Sequence, residues 1–329
     1  MRRKLETEFF SGLAPHIHAY IAFKKAAGFR EKAPSEKGMK TFDWYCFNNY
    51  PNTTELTSEM IAAWCRKRET ETNTSCAKRI GEIVGFIRYL RVRGKTNVEE
   101  PIRPKQDRCT FIPHAFTKTE LENFFSACDE LSSDPKAPSR GTRRITVPVF
   151  FRLLYSSGMR TTEARLLRRD EVDLTHGVIS VSESKSCDQH YVVLHDSMLE
   201  LLRRYDAVIS KCNPNRTYFF PSRYDTYYSA VWVTQNFCEL WGKYNTKPTN
   251  HATAYALRHN YAIENIDSWT GDGLAFEEKL HYLGKSMGHK QLESTKYYYS
   301  LTPRFADVLE GISNEDDIIP EVYNDDESY

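Results

Sequence analysis

Three short runs near the C-terminal end carry side chains suited to reaction at a phosphate: Tyr255-Ala256-Leu257-Arg258-His259, Met287-Gly288-His289 and Lys296-Tyr297-Tyr298-Tyr299. Guanidinium and imidazole groups hold a tetrahedral phosphate through charge-assisted hydrogen bonds. A phenol placed beside them can attack phosphorus. Gly288, just before His289, lets the backbone turn tightly and come close to a ligand. Each run also has a plainer reading. Tyr255 to Arg258 could be one amphipathic helical turn, and adjacent tyrosines are more often surface or core aromatics than nucleophiles. What favours chemistry is the set: an arginine, a histidine and a tyrosine within one segment.

The order of these residues is more specific than their types. Ala256-Leu257-Arg258-His259-Asn260-Tyr261-Ala262, then Met287-Gly288-His289, then a tyrosine nine residues on, resemble the catalytic core of the tyrosine site-specific recombinases, the phage-type integrases and chromosome-dimer resolvases. That step selects Tyr298 among the tyrosines. Upstream, Ser157-Gly158-Met159-Arg160-Thr161-Thr162-Glu163 resembles the family's first arginine motif, with its acidic residue three positions on. Ser184-Lys185-Ser186, in an expected hairpin, matches the family's hairpin lysine. Four matches in the right order carry weight that one would not. The resemblance runs from about Pro113 to Arg304 and, more loosely, over the N-terminal third.

Two departures stand out. The family's usual histidine three residues before the second arginine is Tyr255 here, and His251 does not fit that spacing. The connection from Arg258 to His289 is also long, with Asp267 to Gly273 reading as an extra turn-rich loop.

The resemblance implies DNA cleavage and rejoining through a 3′-phosphotyrosine. Tyr298 attacks the scissile phosphate and a 5′-hydroxyl leaves, so the bond energy is kept in the protein–DNA ester and no ATP is needed. Arg160, Arg258 and His289 bind the non-bridging oxygens as three fixed cations, Tyr255 adds a neutral hydrogen bond, and Lys185 protonates the leaving oxygen. Glu163 holds a nearby backbone or basic group. With those cations doing electrostatic work that metalloenzymes assign to Mg²⁺, neither a metal nor a cofactor is expected. The family acts on paired sites in double-stranded DNA, as a homo-tetramer that passes through a four-way junction. Rivals are a monomeric type IB topoisomerase, which shares the chemistry, and a DNA-binding regulator on a decayed recombinase fold, of which Tyr255 would be the sign.

Composition agrees with a polyanion partner. The formal net charge is only +1, but nine acids and no Lys or Arg follow Arg304. Without that tail, 45 basic side chains stand against 35 acidic ones, a net of +10 for residues 1–304. No stretch approaches the roughly 18–20 apolar residues of a membrane span, and no signal-peptide-like apolar run follows Met1-Arg2-Arg3-Lys4. The eight cysteines are scattered without a Cys-x-x-Cys pair and read as reduced thiols of a cytoplasmic protein.

The elements expected to position these residues are mainly α-helical. Residues 1–100 read as a helical-bundle, core-binding domain: a stripe at Leu13, Ile17, Tyr20 and Ile21, a helix over Met39–Phe47, one over Met60–Arg66 capped by Thr57, and one over Ala77–Val92. Its DNA-binding candidates are Arg66, Lys67, Arg68, Lys78, Arg79 and Arg88, against the plain alternative of a solvated face. Residues 101–113 form a proline-bearing linker. A mixed α/β catalytic domain, mostly helical with a small antiparallel sheet, is expected over 114–304. It opens with a capping box at Thr117–Glu120 before Leu121–Cys128. An apolar helix over Thr146–Ser156 follows, capped by Thr146 with Pro148 in its first turn and closed by Gly158. Val178–Val181 and His190–Leu194 form a hairpin with Lys185 at its tip, followed by helices over Met198–Tyr205 and Ala230–Tyr244. Residues 305–329 read as a tail for contact between protomers, with Phe305, Val308, Leu309 and Ile312 on one helical face and a disordered acidic end.

Overall fold

The computed structural model describes residues 8–27, 34–105, 107, 114–133, 142–182, 189–245, 252–269, 274–289, 291 and 293–299. Lys185 and the tail from 305 onward lie outside the described residues. The chain divides into two compact units, Met1–Phe111 and Ile112–Tyr329.

The first unit is helical: α1 (Ala14–Ala26), α2 (Pro34–Asn49), α3 (Ser58–Cys65) and α4 (Asn73–Val92). Its core gathers Leu13, Ile17, Met39, Phe42, Trp64 and Phe86, so the stripe read from α1 is the face it buries. Buried Asp43 ties the entry segment to α2 by accepting the Phe10 amide at 2.7 Å and the Ser11 amide at 3.1 Å. Thr57 caps α3 as expected, taking the Met60 amide at 3.2 Å. The start of α4 is a correction. It begins at Asn73 rather than Ala77, because Thr72 accepts the Ser75 amide at 3.1 Å and opens a polar first turn with no apolar period.

The second unit is also mostly helical. Helices α5 (Lys118–Ser133), α6 (Arg143–Ser157) and α7 (Thr161–Leu166) precede strands β1 (Val172–Asp173), β2 (Val178–Val181) and β3 (His190–Val193). Then come α8 (Asp196–Cys212), α9 (Ala230–Tyr244), α10 (Ala256–Trp269), α11 (Leu274–Ser286) and α12 (Glu293–Tyr299). The strands form an antiparallel sheet in the order β1-β2-β3, with Val178 opposite Val193 and Val181 opposite His190. Helix α6 runs through the middle of the core, where Phe150, Phe151, Leu153 and Leu154 are buried with Phe124, Phe219 and Phe237. The expected capping box is present: Thr117 Oγ1 accepts the Glu120 amide at 3.2 Å and Glu120 accepts the Thr117 amide at 2.9 Å.

Three expectations about this unit change. Helix α6 starts at Arg143 after Thr142, so Thr146 is not its cap and Pro148 lies inside it. Arg143 anchors the extra turn to Asn236 at 2.7 Å and Glu239 at 2.7 Å, while fully buried Thr146 sits 3.2 Å from the Tyr205 hydroxyl. Helix α8 is longer than Met198–Tyr205, running from Asp196 to Cys212 around buried Leu202, Tyr205 and Ile209. Asp267–Trp269, expected as part of a turn-rich loop, are the end of α10. Burial of Ile266, with Ile263 and Trp269 packed alongside, outweighs their turn-like composition; residues 270–273 lie outside the described residues.

Candidate active site

Among the described residues of the second unit, two helices end in left-handed turns. Gly158 closes α6 with φ 62°, and Gly288 follows α11 with φ 65°. A side chain at Gly288 would also be blocked, since a Cβ would meet the His190 ring at 2.8 Å. The carbonyls exposed at these turns are taken by two arginines. Arg258 Nη1 donates to the Gly158 carbonyl at 2.7 Å, and its Nη2 donates to the Met287 carbonyl at 2.7 Å. Arg160 Nη2 donates to the Gly288 carbonyl at 3.0 Å. The two arginine motifs, about a hundred residues apart in sequence, are therefore cross-latched through the same pair of turns.

Glu163 sets Arg160. On the first turn of α7, its carboxylate accepts the Arg160 amide at 2.9 Å and pairs with Nη1 at 2.5 Å. It holds both a backbone and a basic group, and its side chain is 1% exposed. Arg258, on the first turn of α10, is 2% exposed. Burial lowers its pKa, and Arg160 adds to that effect. Arginine stays protonated regardless. Its Nε has no hydrogen-bond partner among the described residues.

His289 lies between Arg258 and α12. Its Nε2 is 3.0 Å from Arg258 Nη2 and its Nδ1 is 2.7 Å from Thr295 Oγ1. Burial, then Arg258, Arg160 and His190, push its pKa down to about 4. With its pKa there the His289 ring is neutral near pH 7, where three fixed cations were expected; among the described residues beside it, Arg160 and Arg258 carry the fixed charge.

Tyr298 is the tyrosine turned inward. It is 4% exposed, against 44% for Tyr297; the Tyr299 side chain lies outside the described residues. Its ring stacks on His289 with centroids 6.0 Å apart and planes 14° apart, and the His259 ring is 5.4 Å away. Burial raises the Tyr298 pKa, while the positive charge of the nearby Arg258 guanidinium pulls the other way. Tyr255 is 43% exposed and meets the edge of His259 at 5.0 Å. His259 is itself pushed down to about 4 by burial and by Arg258.

Sequence reasoning missed Thr295 and His190. Thr295 is fully buried against His289, and His190 on β3 comes within 3.9 Å of Glu163. Neither belongs to a motif or an apolar period that would mark it. Beside the site opens a cleft of about 940 Å³ bordered by His190, Tyr191, Lys279, Lys285 and His289. Among the described residues, no three His, Cys, Asp or Glu side chains come together as a metal-ligand set, and no helix is long and apolar enough to cross a membrane.

The basic candidates of the first unit divide into two kinds. Arg66, Lys67, Arg68 and Lys78 are exposed, with Lys67 donating to Asn73 at 2.7 Å and Arg68 lying over the Trp64 ring at 5.4 Å. Arg79 is bound internally: it pairs with Glu71 at 2.6 Å and donates to the carbonyls of Trp64 and Arg66. Its hydrogen bonds hold the Glu71 carboxyl down to about 2. Arg88 pairs with Glu100 at 2.7 Å and 2.8 Å through both oxygens.

Comparison with known proteins agrees with this geometry. The sequence pattern of the phage integrase family matches residues 114–304. The Sinorhizobium fredii chain that carries the name integrase/recombinase y4rB is 24% identical over 305 residues, covering 87% of this chain and 92% of its own length. The tyrosine recombinase XerA of Thermococcus kodakarensis is 25% identical over 214 residues, covering 65% of this chain and 67% of its own. Among solved structures, the Tn1549 transposon integrase in complex with transposon right-end DNA superposes with a TM-score of 0.60 at 15% identity, covering 91% of this chain and 99% of that one. The XerH site-specific recombinase bound to its palindromic difH substrate gives 0.58 at 14% identity, over 91% of this chain and 84% of that one. At such identities these structures speak for the fold.

Proposed function

We propose, on the premise that the chain belongs to the phage integrase family, that it is a site-specific DNA recombinase of the tyrosine type, an integrase that cuts and rejoins double-stranded DNA. The observation that carries this reading is the burial of Tyr298 against His289 and Arg258 while Tyr297 faces outward. A phenol buried beside a guanidinium is placed where a phosphate bound to that guanidinium would present phosphorus to it.

In the proposed reaction the Tyr298 oxygen forms a bond to phosphorus as the bond to the 5′-oxygen breaks. The products are a 3′-phosphotyrosine and a free 5′-hydroxyl; the phenol's proton passes to solvent and the leaving oxygen gains one from Lys185. Arg160 and Arg258 bind the non-bridging oxygens and offset the charge that develops in the transition state. His289 starts neutral and becomes a donor to the phosphate only by taking up a proton at Nε2. Lys185 is the general acid of this proposal. Tyr255 adds a hydrogen bond from the rim. No metal or cofactor takes part.

The wider proposal follows the family. Residues 1–100 grip the duplex through Arg66, Lys67, Arg68 and Lys78, residues 101–113 link them to the catalytic domain at 114–304, and residues 305–329 contact a neighbouring protomer. Four protomers on two paired sites pass through a four-way junction, in the cytoplasm, where the DNA of a mobile element is accessible. Support for DNA as partner comes from relatives such as the XerH recombinase bound to difH.

The test is covalent capture. A random-sequence duplex library carrying single nicks is incubated with the protein, and DNA that stays attached after denaturation is recovered and sequenced. A shared motif and a requirement for two such sites support a recombinase. Capture without sequence preference points to a topoisomerase, and no capture points to a regulator.

A further inference from the structure

Which nitrogen of His289 carries a proton follows from its neighbours. A guanidinium can only donate. With Arg258 Nη2 at 3.0 Å, Nε2 of His289 must therefore offer a lone pair. A neutral imidazole has one N–H, so Nδ1 bears it and donates to Thr295 Oγ1 at 2.7 Å. Thr295 is fully buried on α12.

A second observation ties Thr295 to this task. A Cβ on Gly284 would meet Thr295 Oγ1 at 2.8 Å, so α11 carries a bare backbone where the hydroxyl lies. The carbonyl of the same Gly284 accepts the His289 amide at 2.9 Å. One glycine thus fixes the backbone of His289 and makes room for the side chain that orients its ring.

We propose that Thr295 is a positioning residue that holds His289 as the Nδ1–H tautomer, with Nε2 turned towards Arg258 and the seat of the phosphate. This rests on the recombinase reading for its consequence, not for its geometry. If the ring rotated by half a turn, Cε1 would stand where Nε2 meets Arg258, and the donor to a phosphate oxygen would be misplaced. Thr295 prevents that rotation because turning the ring would leave its hydroxyl facing a carbon. When a phosphate displaces the Arg258 contact, Nε2 is the atom that gains the proton and donates.

The test uses the full chain, labelled with ¹⁵N-histidine, together with Thr295→Val, which keeps the side-chain shape, and Thr295→Ser, which keeps the hydroxyl. Nitrogen chemical shifts of His289, assigned with His289→Gln, report the tautomer at about pH 7 without any substrate. The wild type and Thr295→Ser are expected to show Nδ1–H, and Thr295→Val a mixture of tautomers, because a ring released to turn loses the Arg258 contact that keeps Nε2 an acceptor. On a cleavable duplex, Thr295→Val is expected to cut about tenfold more slowly with DNA binding unchanged, as loss of one orienting hydrogen bond allows, and Thr295→Ser within about twofold of wild type. An unchanged tautomer in Thr295→Val, or a Thr295→Ser as slow as Thr295→Val, overturns the proposal. If the tautomers behave as stated but the wild type cuts no DNA, Thr295 keeps its role and the recombinase reading fails.

Discussion

Nη2 of Arg258 donates to Nε2 of His289 across 3.0 Å, so a side chain expected as a cation accepts a hydrogen bond from one instead. Among the described residues beside it, Arg160 and Arg258 supply fixed charge, while in the proposed reaction His289 is a reserve whose proton arrives with the phosphate. An anion at Nε2 favours the protonated ring, and withdrawal of Arg258 towards the anion removes part of what holds the pKa down.

The same depression links stability to pH. His259 and His289 both have pKa values pushed down to about 4 in the folded chain, against about 6.5 in the unfolded one. Above the unfolded value neither state binds these protons, and the folded chain carries no penalty from them. Between about 6.5 and 4 the unfolded chain binds protons that the folded chain does not, so stability falls as the pH falls. Thermal melts across this window should show a declining Tm, and the decline should be shallower in His259→Gln and His289→Gln. Equal slopes in all three proteins would mean that neither ring is held neutral by the fold.

Arg79 and its exposed neighbours should fail differently. Arg79→Ala leaves Glu71 and the carbonyls of Trp64 and Arg66 without their donor. A loss of about 1.5–3 kcal/mol of stability is expected, the scale of hydrogen bonds to a charged group. Joint substitution of Arg66, Lys67 and Arg68 by alanine should leave the melting temperature nearly unchanged. It should weaken DNA binding and flatten its salt dependence by roughly one unit of log–log slope for each phosphate that is no longer neutralised. Chemical denaturation and salt-titrated DNA binding separate the two effects.

Lys185, as proposed general acid, should matter only when the leaving oxygen needs a proton. Lys185→Ala should slow cleavage of ordinary DNA far more than cleavage of DNA with a 5′-bridging sulfur, whose leaving group departs as a stable anion. Equal loss on both substrates would make Lys185 a phosphate or base contact.

The helical class, the small antiparallel sheet and most helix positions were legible in the sequence because they follow from apolar period and capping. Helix α9, with Ser229 as its cap, falls where Trp232, Phe237, Leu240 and Trp241 put it. Turns of polar or charged residues were not legible. The first turns of α4 and α6 are too polar to show an apolar period, and they are fixed by the Thr72 cap and the Arg143 anchors. At the site, motif order singled out Arg160, Arg258, His289 and Tyr298, which the fold brings together. What the order could not convey is the state of each group. The neutrality of His289 depends on burial and on Arg160, Arg258 and His190 converging from separate elements. Thr295 and His190 are visible only once α12 and β3 are packed beside His289 and Glu163.

One oxygen carries the proposed chemistry. Tyr298→Phe removes that oxygen and leaves the ring stacked on His289. Covalent protein–DNA adduct, read on a denaturing gel with a nicked duplex, should disappear in Tyr298→Phe while DNA binding persists, and it should remain in Tyr297→Phe and Tyr299→Phe. Adduct formed by Tyr298→Phe at the wild-type level would contradict this assignment and move the nucleophile elsewhere.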